Sequence, residues 1–255
     1  MTTGVRADYD PFAWFYDEHW CRGVTGDFLR ALERLLLPRL AARACLLDLC
    51  CGTGRIAADL TGRGFRVTGL DVSEEMLSYA RRNAPAARFV AADARAFTLP
   101  PVFDAAISTF DSINHILSLG ELAAVFRNVR RSLAPGGVFF FDVNLEMGFR
   151  EHWREHYSAV EAERVCLVKG YYDAAARLGR YDFTLFRQLD GCWRRSDFSV
   201  SERCYTKAEL RDSLGRAGFR RVKFFDAPAA AGLREHRGRV FILAEKSDRT
   251  NDDDG

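Results

Sequence analysis

The sequence predicts an α/β fold: a doubly wound, Rossmann-like sheet that carries a small antiparallel β insert. Between residues 44 and 143, short apolar runs alternate with amphipathic segments, the rhythm of strands joined by crossover helices. The run Val138 to Val143 is apolar throughout, as strands covered on both faces are. Between 158 and 205 the pattern changes to β-rich stretches joined by tight turns, among them the hairpin signal Asp190-Gly191.

The elements follow in order. Ala44 to Leu49 is the first strand, and a glycine-containing turn leads into a helix from Arg55 to Leu60 that Gly62 and Gly64 stop. Phe65 to Leu70 is the second strand. Ser73 caps a helix reaching Arg82, with Glu74 and Glu75 suited to its positive end. Arg88 to Ala91 and Val102 to Ser108 are strands three and four. Gly120 to Leu133 is a helix with Leu122, Val125, Phe126 and Val129 on one face, and Pro135-Gly136-Gly137 breaks it before strand five. The insert reads as three strands: Val165 to Tyr171, Tyr181 to Leu189 and Ser196 to Tyr205. The parallel rhythm then resumes with a helix whose capping box is Thr206 and Glu209, a strand from Phe219 to Asp226, and a last strand from Arg239 to Glu245. The expected division is a helical lid (1–43), a Rossmann-like cofactor-binding domain (44–150 and 206–246), an insert serving as acceptor lid or oligomer contact (151–205), and a disordered tail (247–255).

Bulk properties narrow the function. With 255 residues, 48% of them apolar, the chain can bury a full core. A net charge of +2 implies no strongly charged partner, and no stretch resembles a phosphate-binding tract. Seven scattered cysteines make no zinc spacing and read as reduced thiols, which together with the lack of an export signal or apolar span indicates a cytoplasmic protein without a membrane segment. No metal site is expected.

The chemistry gathers on loops after the strands. Asp48-Leu49-Cys50-Cys51-Gly52-Thr53-Gly54 links the first strand to the first helix, and its glycines let a ligand approach the backbone. Alone it is ambiguous, because Gly52-Thr53-Gly54-Arg55-Ile56-Ala57 also fits a dinucleotide fingerprint with Asp71 available for a ribose. Three features separate the readings. Asp48 stands at the strand tip, where a carboxylate attracts an ammonium and repels a pyrophosphate. Asp93 follows the third strand, placed to accept from an adenine amino group. Ser108-Thr109-Phe110-Asp111 ends the fourth strand as a polar-aromatic loop at the same rim. Acids after three successive strands suit a cationic nucleoside with an amino-acid tail.

With these motifs, together with Gly69-Leu70-Asp71-Val72-Ser73-Glu74-Glu75-Met76-Leu77, Ala92-Asp93-Ala94-Arg95 and Leu133-Ala134-Pro135-Gly136-Gly137, the chain resembles class I S-adenosylmethionine-dependent methyltransferases from about Tyr9 to Glu245. It looks like the subgroup with a β insert after strand five, which includes amino-sugar N,N-dimethyltransferases. Tyr9-Asp10, Tyr16-Asp17 and Phe110-Asp111-Ser112-Ile113-Asn114-His115 are similar to that subgroup's lid and post-strand-four segments. The resemblance implies S-adenosylmethionine as cofactor and S-adenosylhomocysteine as product. It implies that Asp48, Gly52 and Gly54 line the methionine part, with Thr53 also in the cofactor site, that Asp71 holds the ribose hydroxyls and that Thr109 sits near the sulfonium. Val72 and Met76 would sandwich the adenine, Asp93 and Ala94 would meet its edge, and Tyr9, Thr109 and Phe110 would complete the site. Many relatives carry glycine where Cys50 stands, so a left-handed backbone is not expected there, and the Cys50 side chain is expected against the ligand.

His115 is the candidate general base, weighed against a rim histidine packing on the next helix. Tyr16 is the candidate for orienting the acceptor, weighed against a core aromatic. His152, Trp153, His156 and Tyr157 read as a solvated helix face rather than a metal site, and most insert aromatics as packing against the main sheet or a second subunit. The Asn/Asp-Pro-Pro-aromatic loop of nucleic-acid amino-methylation is absent after strand four. The reading favours a small-molecule acceptor and nitrogen over oxygen, with a homodimer through the insert and nucleic acid disfavoured. An RNA methyltransferase and a non-catalytic donor-binding subunit are the alternatives.

Overall fold

The computed structural model describes residues 9–21, 24–153 and 156–246. The expected tail at 247–255 and the start of the lid lie outside the described residues.

The lid is a run of helical turns from Asp10 to Trp20, of which Ala13–Phe15 is α1 and Tyr16–Trp20 a wider π-helical turn. Helix α2 (Thr25–Leu35) buries Phe28, Ala31 and Leu32. Then follow β1 (Cys45–Leu49), α3 (Arg55–Gly62), β2 (Arg66–Asp71), α4 (Glu74–Asn83), β3 (Arg88–Ala91), β4 (Phe103–Ser108), α5 (Leu119–Ser132) and β5 (Leu133–Asn144). Ser73 caps α4 by accepting from the Met76 N–H at 3.0 Å, and Ser118 caps α5 in the same way. Short α6 (Glu146–His152) opens the insert, whose strands are β6 (His156–Glu161), β7 (Arg164–Asp173), β8 (Leu178–Leu189) and β9 (Cys192–Arg203). After the insert come α7 (Lys207–Arg216), β10 (Phe219–Asp226), α8 (Ala227–Ala231) and β11 (Arg239–Lys246). The capping box on α7 forms as the sequence reads it.

The main sheet has the order β10-β11-β5-β4-β1-β2-β3. Strands β1 to β5 are parallel, so their carboxyl ends share one rim. β11 runs antiparallel to both β5 and β10, which corrects the expected resumption of a parallel rhythm. The cause is visible in the strand itself: Val240 to Ala244 is buried on both faces, and a continuous apolar run reads the same in either direction. β5 also starts earlier than expected. Pro135, Gly136 and Gly137 do not precede the strand but form an irregularity within it, between the pairs Phe103–Leu133 and Ala105–Val138, with Gly136 at φ +70°.

The insert is a four-stranded antiparallel meander, β6-β7-β8-β9, not three-stranded. β6 escaped the sequence because it is an edge strand with almost every residue exposed, so no apolar period marks it. His156 and Tyr157 lie on this strand rather than on a helix face, and Trp153 is buried just after α6. The inward face of the insert packs on the lid, where Phe12 meets Phe183 and Phe198 at centroid distances of 4.9 and 5.7 Å. Phe149, Trp153 and Cys204 form a separate small cluster at its base.

Candidate active site

The loops after β1 to β4, the lid and β9 surround a cavity of about 770 Å3. Asp48 is buried near the tip of β1, and its Oδ2 has no hydrogen-bond partner among the described residues. Burial, reinforced by the charge of Asp71, pushes its carboxyl up to about 8.

Cys50 adopts φ +58°, against the expectation of an ordinary backbone there. The chain must turn out of β1 while the Cys51 N–H still donates to the Leu70 carbonyl at 3.0 Å, so the bend falls on Cys50 whatever its side chain. Burial raises the Cys50 thiol far above its ordinary value, so it stays a thiol. Gly54, at φ +73°, permits the next close approach: a Cβ there would lie 2.9 Å from the Ala80 Cβ on α4.

Asp71 ties two loops together. Its Oδ2 accepts from the Gly52 N–H at 2.8 Å and its Oδ1 from the Ser73 N–H at 3.0 Å. Burial raises this carboxyl, and the N–H bonds oppose the shift. The Ser73 hydroxyl donates to Asp10 at 2.6 Å, joining the lid to the same corner. Val72, 41% exposed, and buried Met76 present apolar surface to the cavity. Asp93 is gripped by the Arg95 guanidinium at 2.6 to 3.0 Å, which holds its carboxyl below the usual range. Arg95 in turn reaches Glu121 at 2.9 Å.

After β4, Phe110 and Asp111 both take left-handed backbone, φ +62° and +51°. Phe110 stacks on Phe28 at 4.1 Å, and Asp111 receives Arg239 at 3.1 Å. Arg239 also pairs with buried Asp142, and Asn144 donates to Asp111. Asn114 is fully buried in the turn Ser112–His115. Its amide donates to the carbonyls of Asn144 (3.1 Å) and Arg203 (2.8 Å), and its oxygen accepts from the Asn144 N–H. That staple seats His115 beside the lid and β9: its Nε2 lies 3.1 Å from the Tyr9 hydroxyl and 3.5 Å from Glu202 Oε1.

Of the residues singled out from sequence, Tyr9, Tyr16, Cys50, Gly52, Asp71, Val72, Met76, Asp93, Ala94, Phe110 and His115 line the cavity. Asp48, Thr53, Gly54 and Thr109 do not line it. Thr53 is buried with its carbonyl accepting from Asn83, and the Thr109 carbonyl accepts from Ser112. Tyr16 sits over the glycine loop: a Cβ on Gly52 would be 3.6 Å from its ring. Sequence reasoning missed Glu202, Arg239 and Asn144. Glu202 had a signal: in Phe198, Val200, Glu202 and Cys204 an acid occupies the inward position of a period-2 strand. Arg239 and Asn144 stand at strand ends, where no period distinguishes them.

Residues 46–137 match the family model described as a methyltransferase domain. The chain is 28% identical over 248 residues to the Bacillus subtilis protein YqeM, named as a putative methyltransferase, covering 94% of this chain and 97% of that one. It is 34% identical over 161 residues to the dTDP-3-amino-3,6-dideoxy-alpha-D-glucopyranose N,N-dimethyltransferase of Streptomyces fradiae, covering 58% of this chain and 61% of the relative. Among solved structures, an S-adenosylmethionine-dependent methyltransferase from Clostridium acetobutylicum superposes with a TM-score of 0.78 at 22% identity, over 94% of this chain and 100% of that one.

Proposed function

Taking this chain as the class I S-adenosylmethionine-dependent methyltransferase that its matched domain, fold and relatives make it, we propose that it methylates a nitrogen atom of a small, polar amine. The observation that carries this reading is the charge of the cavity. Both arginines on its wall are already engaged, Arg95 by Asp93 and Glu121 and Arg239 by Asp111 and Asp142, while Glu202 remains as a buried acid. An anionic acceptor meets no spare guanidinium on the described wall, and an amine meets acids and aromatic rings. The Streptomyces relative's amino-sugar acceptor points the same way.

The residues fit the donor. Asp48, whose Oδ2 is buried without a partner among the described residues but which does not line the cavity, would act on the ammonium of a methionine tail through the glycine loop rather than by contact. Asp71, held rigid by two N–H groups, is suited to the ribose hydroxyls; Val72 and Met76 would flank the adenine, and Asp93 and Ala94 would meet its edge. Cys50, Gly52 and Tyr16 would enclose the methionine end. When bound, S-adenosylmethionine supplies a methyl group on a sulfonium with a neutral thioether as leaving group. The chain therefore needs to align an uncharged nitrogen and keep water out, a task suited to Tyr9, Phe110 and the lid. His115 and Tyr16 are the side chains that orient the acceptor.

The test is incubation of the protein with methyl-labelled S-adenosylmethionine and a panel of amines, matched alcohols and tRNA, with products read by mass spectrometry. Transfer to amines is expected. Transfer to the alcohols instead, or to tRNA alone, overturns the reading.

A further inference from the structure

One oxygen of the buried Glu202 carboxyl is unpartnered among the described residues. Its residue is 4% exposed, it lines the cavity, and its Oε2 has no hydrogen-bond partner among the described residues. It projects from β9, in the insert, whereas the donor-binding loops all lie on the main sheet. Stranding a carboxyl oxygen in this way costs stability that hydrogen-bonded or apolar side chains would not. The neighbouring framework is built to keep it in place: the Asn114 amide donates to the carbonyl of Arg203, the residue after Glu202, and the same turn holds His115 Nε2 at 3.5 Å from Oε1.

We propose that Glu202 receives the acceptor as an ammonium ion and removes its proton before methyl transfer, which makes it a catalytic residue and the determinant of a cationic acceptor. This rests on the amine reading above. An N–H bond of the ammonium breaks, an O–H bond forms at Glu202 Oε2, and the electron pair stays on nitrogen. That pair takes the methyl group, the nitrogen acquires the positive charge the donor brought, and Glu202 returns its proton to water as the site opens.

The surroundings tune the carboxyl for this exchange. Burial pushes it well above the usual carboxylate range, the charge of Asp111 adds to the rise, and Arg239 opposes it. An ordinary carboxylate is a poor base toward an ammonium, whose free amine is about six units stronger as a base; one raised by its site brings the two closer to balance. The charged and titratable groups facing it are Tyr9 on the lid, His115 and Asp111 after β4, Asp142 on β5 and Arg239 on β11. Arg239 pairs directly with the two aspartates and acts on Glu202 only through its field, and His115 faces Oε1, so a cationic guest would supply the direct partner that Oε2 lacks.

The test uses the full chain saturated with S-adenosylhomocysteine, so that no turnover is needed. D-glucosamine is compared with D-glucose, and cyclohexylamine with cyclohexanol, by calorimetry and thermal shift, in wild type and Glu202→Gln. Amines are expected to bind at least tenfold tighter than their hydroxyl counterparts. Glu202→Gln should abolish that preference while keeping S-adenosylhomocysteine affinity and a melting temperature at or above wild type, which excludes unfolding as the cause. Glu202→Asp should retain part of the preference. Equal binding of amine and alcohol, or an intact preference in Glu202→Gln, overturns the inference. Amine binding through Glu202 with no methylation of any amine defeats only the acceptor reading. Full-rate amine methylation by Glu202→Gln defeats only the role of Glu202 as the base.

Discussion

Arg55 closes a two-pronged ion pair on Asp17, with Nε and Nη2 at 2.9 and 2.8 Å from the two carboxylate oxygens. The pair joins the lid to the first residue of the helix that follows the glycine loop, and Asn83 on α4 donates to the same carboxylate at 2.7 Å. Asp17 is buried, so this clamp is shielded from the solvent that weakens surface pairs. Asp17→Ala is expected to cost about 1–3 kcal/mol of stability. It should also speed S-adenosylhomocysteine release several-fold; stopped-flow release and amide exchange across residues 9–20 measure both.

Asp71 supports a prediction about donor affinity. Each of its oxygens accepts a loop N–H, and charge-assisted bonds of this kind contribute about 1.5–3 kcal/mol. Asp71→Ala should weaken S-adenosylhomocysteine binding by a factor of ~10–100, measured by calorimetry, with little loss of secondary structure.

Asp48 makes donor binding depend on pH. Its carboxyl is raised to about 8, so it is mostly neutral at pH 6 and ionised above pH 8. The ionised form favours the ammonium of the methionine tail, so affinity should rise between pH 6 and 8, by at most tenfold per unit, and then level off. The donor-free protein responds in the opposite sense. A carboxyl raised from 3.8 binds its proton more tightly folded than unfolded, so stability falls as pH rises from about 4 to 8. Asp48→Asn should flatten both curves, read by calorimetry and by thermal melts over pH 5–9.

Gly54→Ala tests the packing of the glycine loop. The substitution combines φ +73° with a Cβ 2.9 Å from Ala80. It should destabilise the fold by about 1–3 kcal/mol, a drop of several degrees in melting temperature. The same substitution at Gly62, where no atom lies within 4 Å and φ is not positive, should be neutral or slightly stabilising.

Much of the sheet was legible because its signals are local. Ser73 and Thr206 cap helices through side-chain bonds written within four residues, and β1 to β4 announce themselves by runs of apolar residues. Legibility failed where a feature depends on distant partners. The direction of β11 follows from its neighbours, and edge strand β6 carries no apolar face. At the site, loop position brings Cys50 and Gly52 to the cavity, whereas Asp48, Thr53 and Gly54 of the same loop do not line it. Glu202 reaches the cavity only because β9 folds back over it, 91 positions after Asp111. The left-handed turn at Cys50 was hidden because backbone pairing, not the residue type, dictates it.

The antiparallel β11 also fixes the order in which the molecule can be completed. It lies between β5 and β10, so the flank of β5, with Phe139, Phe140 and Phe141, waits for residues 239–246 before it is paired. On the ribosome this means roughly 100 residues of further synthesis after Asn144, on the order of 5–20 s at bacterial or eukaryotic elongation rates. During that interval a long apolar strand edge stands open, the kind of edge that recruits neighbouring chains. Slow-growing nascent chains should therefore depend on holdase chaperones until the last strand has emerged, although the loops after β1 to β4 are already complete.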